Sequence, residues 1–155
     1  MPRLTNIHPN IAAFLDMLAH SEGTTKYGQD DGYNVLVGGK LFDDYSAHPN
    51  VLVELRPGLK STAAGRYQLL FRYYKPYKDL LQLDDFSPAS QDKIAIQQIK
   101  ERRAIPLIET GHFTDAVEAC KNIWASLPGA GYGQHENGIA PLRMAYVAAG
   151  GTLLG

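Results

Sequence analysis

Four apolar residues at helical spacing, Ile11, Phe14, Leu15 and Leu18, lead into a carboxylate, Glu22, where the next core position falls. Gly23 follows at once. The stripe has to face a core. Glu22 shares that face, because positions three or four residues apart on a helix stack above one another. The spacing predicts a helix from about Ile11 to Ser21, with Pro9 and Asn10 as lead-in and Gly23 as its C-cap. Such a chain must shelter an acid at a helix end. Two effects there raise its proton affinity: desolvation penalises the charged form, and the helix C-terminus carries partial negative charge. A carboxylic acid kept neutral near pH 7 can donate a proton. The plainer alternatives are an exposed glutamate on a fraying last turn, or one paired with an arginine.

With 155 residues, the chain suits one domain spanning 1–155 with a real core. Lys plus Arg is 15 and Asp plus Glu 16. That balance argues against a duplex nucleic-acid partner, which asks for a basic face, although Lys100 to Arg103 is a local basic patch. The single cysteine, Cys120, excludes an intrachain disulfide and fits a cytosolic origin. It lies at helical spacing with Phe113, Val117 and Ile123, as a buried structural thiol would. No His or Cys pair has metal-ligand spacing, so neither metal nor other cofactor is expected. The N-terminus lacks the apolar run of a signal peptide, and no stretch approaches membrane-spanning length. Membrane insertion is not expected, and work outside the cytoplasm would need a separate route out.

Tyr27 to Lys60 has a different texture. Pieces such as "DDGY", "VGGK" and "RPGLK" separate the strand-like runs "YNVLV" and "KLFDDY". "NVLVGGKLF" reads as a hairpin turning at Gly38-Gly39. From Ala63 the pattern is helical. "GRYQLLFRYYKPYKDLLQL" is amphipathic, with Pro76 expected to break or kink it. "SPASQDKIAIQQIKERRA" opens with Ser87 as cap and Pro88 at the first helical position. "IPLIETG" should be a short helix ending at Gly111, and "FTDAVEACKNIWASL" a longer one stopped by Pro128. "PGAGYGQHENG" is loop, and a last helix runs from about Ile139 to Ala149. Helix, small sheet, then several helices make an α+β domain.

Nine tyrosines and one tryptophan are generous for this length. Aromatic faces stack on the apolar faces of sugars, and tyrosine adds a polar handle. Tyr67, Tyr73, Tyr74 and Tyr77 fall in the pattern of a helix, where core packing is the ordinary role. Tyr132, between Gly131 and Gly133, is displayed on a loop whose glycines let backbone approach a ligand, or is simply a turn with an anchoring tyrosine.

The blocks "FLDMLAHSEGT", "GYNVLVGGKLFDDYSAHP", "LKSTAAGRYQLL", "FSPASQDKIAIQQIKERRA" and "NIWASLPGAGYGQ" together resemble the family of the bacteriophage lambda endolysin, peptidoglycan lytic transglycosylases also called lambda lysozymes. The resemblance runs from about Phe14 to Gly151. It implies a lysozyme-like α+β fold, with a small antiparallel sheet lobe and a larger helical lobe flanking a substrate cleft. It implies cleavage of the β-1,4 bond between N-acetylmuramic acid and N-acetylglucosamine, without water, leaving a 1,6-anhydro end. The family's single catalytic acid, in "SEG", falls on Glu22. By position, Tyr67 and Gln68 in "AAGRYQ", beside Gly65, line the cleft. Tyr132 and Gly133 in "GAGYGQ" lie on one lip of it, and the other lip comes from about Val51 to Lys60. Tyr67 as a core tyrosine stays open. The partners implied are peptidoglycan glycan strands and a holin that opens the inner membrane. The enzyme would be a monomer held in the host cytoplasm until its release to the periplasm at lysis.

One region departs from the family pattern. "TTKYGQDDGYN" carries Asp30 and Asp31 close to Glu22 in sequence. A second carboxylate facing the sugar would permit a hydrolytic lysozyme mechanism, although Asp-Asp-Gly reads first as a solvated turn. A glycan-binding module with a dead site is a third reading, against which an intact Glu22 speaks.

Overall fold

The computed structural model describes residues 1–27, 30–131 and 136–154. The chain divides into two compact units, Met1–Glu22 with Ala95–Gly155, and Gly23–Ile94.

In the first unit the apolar stripe forms α1, Pro9–Glu22. The helix begins two residues before the expected start. Pro9 takes the first helical position, where its missing N–H costs nothing, and the His8 ring accepts the Asn10 N–H at 3.0 Å as an N-cap. Phe14, Leu15 and Leu18 are fully buried and Ile11 nearly so. Each contributes roughly 1.5–3 kcal/mol by leaving water. Helix α1 packs on α4, Ile105–Glu109, and α6, Ile139–Ala148. Phe113, the first residue of α5 (Phe113–Cys120), meets Phe14 edge-on at 6.1 Å and Tyr146 at 4.6 Å. Buried Asn10 ties the unit's ends together. Its Nδ2 donates to the Ile108 carbonyl at 3.0 Å, and its Oδ1 accepts from Thr152 N–H at 3.0 Å. Cys120 is buried and its thiol is pushed up to about 12 by desolvation, the expected structural thiol.

Helix α5 stops at Cys120, seven residues short of the expected Leu127. The periodicity of Cys120, Trp124 and Leu127 is real, and all three are buried. Turns satisfy it instead of helix: Ile123 and Trp124 N–H donate to the Cys120 carbonyl, and Leu127 N–H to that of Trp124.

The second unit carries the small antiparallel sheet. Strands β1, Val53–Arg56, and β2, Leu59–Ser61, pair in the register Val53↔Ser61, Glu54↔Lys60 and Arg56↔Leu59, with a bulge between Glu54 and Arg56. The expected Gly38-Gly39 turn forms, with Val35 bridged to Leu41. Leu36 N–H donates to the Lys40 carbonyl at 2.7 Å. "YNVLV" and "KLFDDY" do not extend into strands, because Leu36 and Ala64 instead bridge across to other segments. A core of Leu36, Ala64, Leu69, Tyr74, Leu83, Phe86 and Ile94 fills this unit, with Phe42, Tyr77 and Leu81 against it.

Helix α2 runs from Phe71 to Leu81, not from Gly65. Ala64 bridges to Leu69, and the intervening turn needs Gly65 and Gln68 at positive φ, 86° and 54°, which no helix accommodates. Pro76 sits inside α2 without ending it. Tyr74 before it and Tyr77 and Leu81 after it pack on one core, and that burial outweighs the lost backbone bond. Helix α3, Pro88–Glu101, starts as expected, with Ser87 Oγ accepting the Ser90 N–H at 3.4 Å. Helices α4 and α6 also fall where the sequence placed them.

Candidate active site

Glu22 is the last residue of α1 and is half-buried. Gly23 continues the chain at φ 76°, the left-handed C-cap that a glycine adopts without strain. Desolvation raises the Glu22 carboxyl to about 7, and a hydrogen bond from the Ser126 side chain opposes part of that rise. Neither the exposed glutamate nor the arginine-paired one describes it.

The groups around Glu22 were not singled out from the sequence. Ser21 and Ser126 are both buried, their hydroxyl oxygens 2.7 Å apart. Asn137 Nδ2 donates to the Ser21 hydroxyl at 3.1 Å, the Ser21 carbonyl at 3.0 Å and the Ser126 carbonyl at 3.4 Å. The Asn137 N–H also donates to the Ser126 carbonyl at 2.8 Å. Glu136 clamps the neighbouring turn by accepting from Gly129 and Gly131 N–H, both at 2.9 Å. The available signal was the serine immediately before Glu22, which stands one position off the apolar stripe yet is buried.

In the second unit, Tyr67 is a buried tyrosine outside any helix. Its hydroxyl donates to Asp92 Oδ1 at 2.6 Å and accepts from Arg66 Nη1 at 3.0 Å. Tyr33 also donates to Asp92 Oδ1, at 2.7 Å. Arg66 is fully buried, its Nε donating to the Asp31 carbonyl at 2.9 Å and its backbone N–H to Gln91 Oε1 at 2.9 Å. Desolvation, with Asp92 adding to it, drives the Tyr33 and Tyr67 hydroxyls well above the ordinary phenol range, so both stay protonated. Sequence reasoning missed this network.

Gln68 follows Tyr67 and is partly exposed. Its Nε2 donates to the Gly65 carbonyl at 2.9 Å and the Val35 carbonyl at 3.2 Å. With both amide hydrogens engaged, its oxygen is the part suited to a ligand. Tyr132 and Gly133 lie outside the described residues. The segment Val51 to Lys60 holds the β1–β2 hairpin and exposes Val51, Leu52 and Leu55.

Asp30 and Asp31 open the expected turn. Asp31 at φ 53° and Gly32 at φ 87° occupy its centre, and Tyr33 N–H donates to the Asp30 carbonyl at 2.9 Å. Asp31 is exposed, while Asp30 Oδ2 accepts the Tyr45 hydroxyl at 2.5 Å. Among the described residues no cluster of three or more His, Cys, Asp or Glu could hold a metal ion. Among the same residues, no helix is long and apolar enough to cross a membrane.

Residues 12–153 match the family model described as Endolysin. The chain is 55% identical to the endolysin of Escherichia phage lambda over 153 residues, 97% of each chain. It is 49% identical to the endolysin of Escherichia phage P2, over 95% of this chain and 96% of that one. A solved structure of bacteriophage lambda lysozyme complexed with a chitohexasaccharide superposes with a TM-score of 0.95 at 54% identity. That alignment covers 97% of this chain and 100% of the other. A second lambda lysozyme structure gives 0.90 at 53% identity, with the same coverage. The lysozyme-like α+β fold expected from the sequence is therefore the fold observed.

Proposed function

The chain belongs to the endolysin family, and from that membership we propose that it is a peptidoglycan lytic transglycosylase acting in host cell lysis. Its substrate is the glycan strand of the wall, cut at the β-1,4 bond between N-acetylmuramic acid and N-acetylglucosamine. The chitohexasaccharide held by lambda lysozyme is a chain of the same linkage class.

The observation that carries the mechanism is Glu22, whose proton affinity is raised to about 7 by its half-buried place at the end of α1. A group whose pKa lies near the working pH serves both as acid and as base. Glu22 first gives its proton to the glycosidic oxygen, the bond from muramic acid C1 to that oxygen breaks, and the N-acetylglucosamine alcohol leaves. The 2-acetamido group shields the cationic C1. Glu22, now a carboxylate, takes the proton from the C6 hydroxyl of the same sugar while that oxygen bonds to C1. The product ends in a 1,6-anhydro ring, and Glu22 is again an acid. Because the nucleophile belongs to the substrate, proximity replaces a second protein carboxylate.

Gln68 accepts a hydrogen bond through its amide oxygen from an acetamido N–H or a sugar hydroxyl. Tyr67 serves by holding the Arg66–Gln68 turn, since its hydroxyl is engaged by Arg66 and Asp92. Tyr132 and Gly133 are proposed glycan-binding residues on the strength of the family resemblance alone, and the Val51 to Lys60 segment is proposed to contact glycan as well. The 1–155 chain acts as one catalytic domain and as a monomer. It waits in the host cytoplasm and reaches the wall in the periplasm after a holin opens the inner membrane.

A hydrolytic lysozyme on the same fold needs a second carboxylate. Asp31 on its exposed turn and Asp30 held by Tyr45 give that reading little support. Digestion of purified peptidoglycan decides between them. Anhydro ends with no new reducing ends are expected, and new reducing ends would replace transglycosylation with hydrolysis.

A further inference from the structure

We infer that the groove between β2 and the start of α2 takes an acidic peptide, the stem that each N-acetylmuramic acid of a wall glycan carries on its lactyl carboxyl. The inference rests on the reading of the substrate as peptidoglycan and deepens it, by naming the part of that polymer which this groove recognises.

The groove lies within the second unit and measures about 420 Å³, inside the range of roughly 300–1,000 Å³ over which ligand sites fall. Its apolar walls are Leu52, Leu70 and Phe71. Leu52 is 61% exposed and Phe71 39%, so the fold leaves both uncovered. The polar side chains that line it all present donors. Lys60 and Arg72 are exposed cations. The Ser61 hydroxyl already accepts the Ala63 N–H at 3.1 Å, and the Thr62 hydroxyl the Phe71 N–H at 3.0 Å. Each therefore has its hydrogen to give. Among the described residues no carboxylate lines the groove.

The cations stand where the fold has no use for them. Arg72 occupies the first turn of α2, the end at which the helix dipole disfavours a positive charge, and no acidic residue in that turn offsets it. One turn on, Lys75 and Asp79 pair at 2.7 Å. Among the described residues neither Arg72 nor Lys60 has an ion-pair partner. Arg72 stacks on the Tyr73 ring at 4.9 Å, which leaves the N–H groups around its planar edge to donate. Glu54 stands opposite Lys60 in the sheet register without pairing to it. An anion with apolar parts fits this set. The stem peptide supplies carboxylates for the cations and hydroxyls, and alanine methyls for Leu52 and Phe71. A neutral sugar would leave both cations unmatched. A bilayer would press Glu54 against lipid phosphates, and it meets a convex face better than a groove.

The test uses soluble, un-cross-linked wall glycan with its stems intact, and the same glycan stripped of them by an amidase. On the stem-bearing strands the native protein should show a KM about five- to tenfold lower, the worth of two solvent-exposed ion pairs. That preference should shrink in about 0.5 M salt. Lys60→Gln with Arg72→Gln keeps the aliphatic parts of both exposed side chains and removes their charges, and should level the two KM values. Independently, the stem tripeptide alanyl-γ-glutamyl-diaminopimelate, titrated into the native protein, should shift the backbone amide NMR signals of Lys60 to Thr62 and Leu70 to Arg72. Equal KM values in the native protein, a preference that survives the double variant, or shifts confined to another face would overturn the assignment. So would retention of the native protein, but not the double variant, on phosphatidylglycerol vesicles, which would give the face to a bilayer. The tripeptide binds without turnover. A chain that proved hydrolytic, or whose acid was not Glu22, would leave that titration standing.

Discussion

The hydroxyls of Ser21 and Ser126 lie 2.7 Å apart although 105 residues separate them in the chain. That contact, with Asn137 across both, fastens the loop after α5 to the end of α1 and holds the turn on which Glu22 sits. Both serines are buried, so neither hydroxyl has water as a ready substitute partner. Ser21→Ala removes the hydroxyl without adding bulk, leaving the buried Ser126 hydroxyl short of a partner. A loss of about 1–3 kcal/mol is expected, because an orphaned buried polar group forfeits its full hydration. Urea unfolding at pH 7 measures it, and an unchanged midpoint would show that the contact does not hold the loop.

Glu22 makes stability depend on pH in an unusual direction for a carboxylate. Its folded pKa of about 7 lies above the ordinary value of 4.5. Below 4.5 both folded and unfolded forms are protonated, and burial carries no charge penalty. As pH rises from 4.5 to 7 the unfolded chain releases the proton while the native site keeps it, so native stability falls; above 7 the loss is complete. Glu22→Gln removes that dependence. The variant should match the native protein near pH 4 and exceed it by roughly 2–3 kcal/mol at pH 8. Wall clearing should be lost at every pH. Parallel stability curves for the two proteins between pH 4 and 8 would mean that Glu22 is not desolvated.

What the sequence disclosed about this fold depended on how local the determining contact was. Helix α1 and its terminal carboxylate were legible because the stripe Ile11, Phe14, Leu15 and Leu18 is periodic and Gly23 ends it. The same periodicity misled at Cys120, Trp124 and Leu127, where three buried residues at helical spacing are carried on turns. It misled again at Gly65 to Leu70. There, bonds from Arg66 to Asp31 and Gln91 bend the chain through two left-handed residues before α2 can begin. Ser126, Asn137 and Asp92 were missed for a related reason. Each gains its role from partners tens of residues away, and no short motif records such a pairing.

The Tyr67 hydroxyl bridges Arg66 and Asp92, and the Gln68 amide oxygen is the atom proposed above to meet the glycan. The two residues should therefore answer differently to truncation. Tyr67→Phe removes one acceptor and one donor from a buried charged network, and should lower stability by about 1–2 kcal/mol while leaving KM for soluble glycan close to native. Gln68→Ala also forfeits the two bonds its Nε2 makes to backbone carbonyls, so it should lower the melting temperature by a few degrees and, unlike Tyr67→Phe, raise KM severalfold. Thermal melting and steady-state assays on the same preparations separate them. A raised KM for Tyr67→Phe at native stability would place its hydroxyl on the substrate instead.

Arg66 and Asp92 are both buried, and two protonated tyrosines complete the acceptor side of Asp92. Removing one charge strands the other. Arg66→Met should cost about 3–5 kcal/mol, since an uncompensated buried carboxylate is far worse than no ion at all. Adding Asp92→Leu to it should recover part of that loss, although Tyr33 and Tyr67 would still lack an acceptor. Gly65→Ala addresses the same turn through the backbone. A methyl there would stand 2.4 Å from Gln91 Oε1 at φ 86°, so the Gln91 side chain must let go of the Arg66 N–H. A double-mutant cycle between Gly65→Ala and Gln91→Ala, read by urea unfolding, should show strong coupling. Additive losses would mean that the glycine is needed for its backbone angle alone.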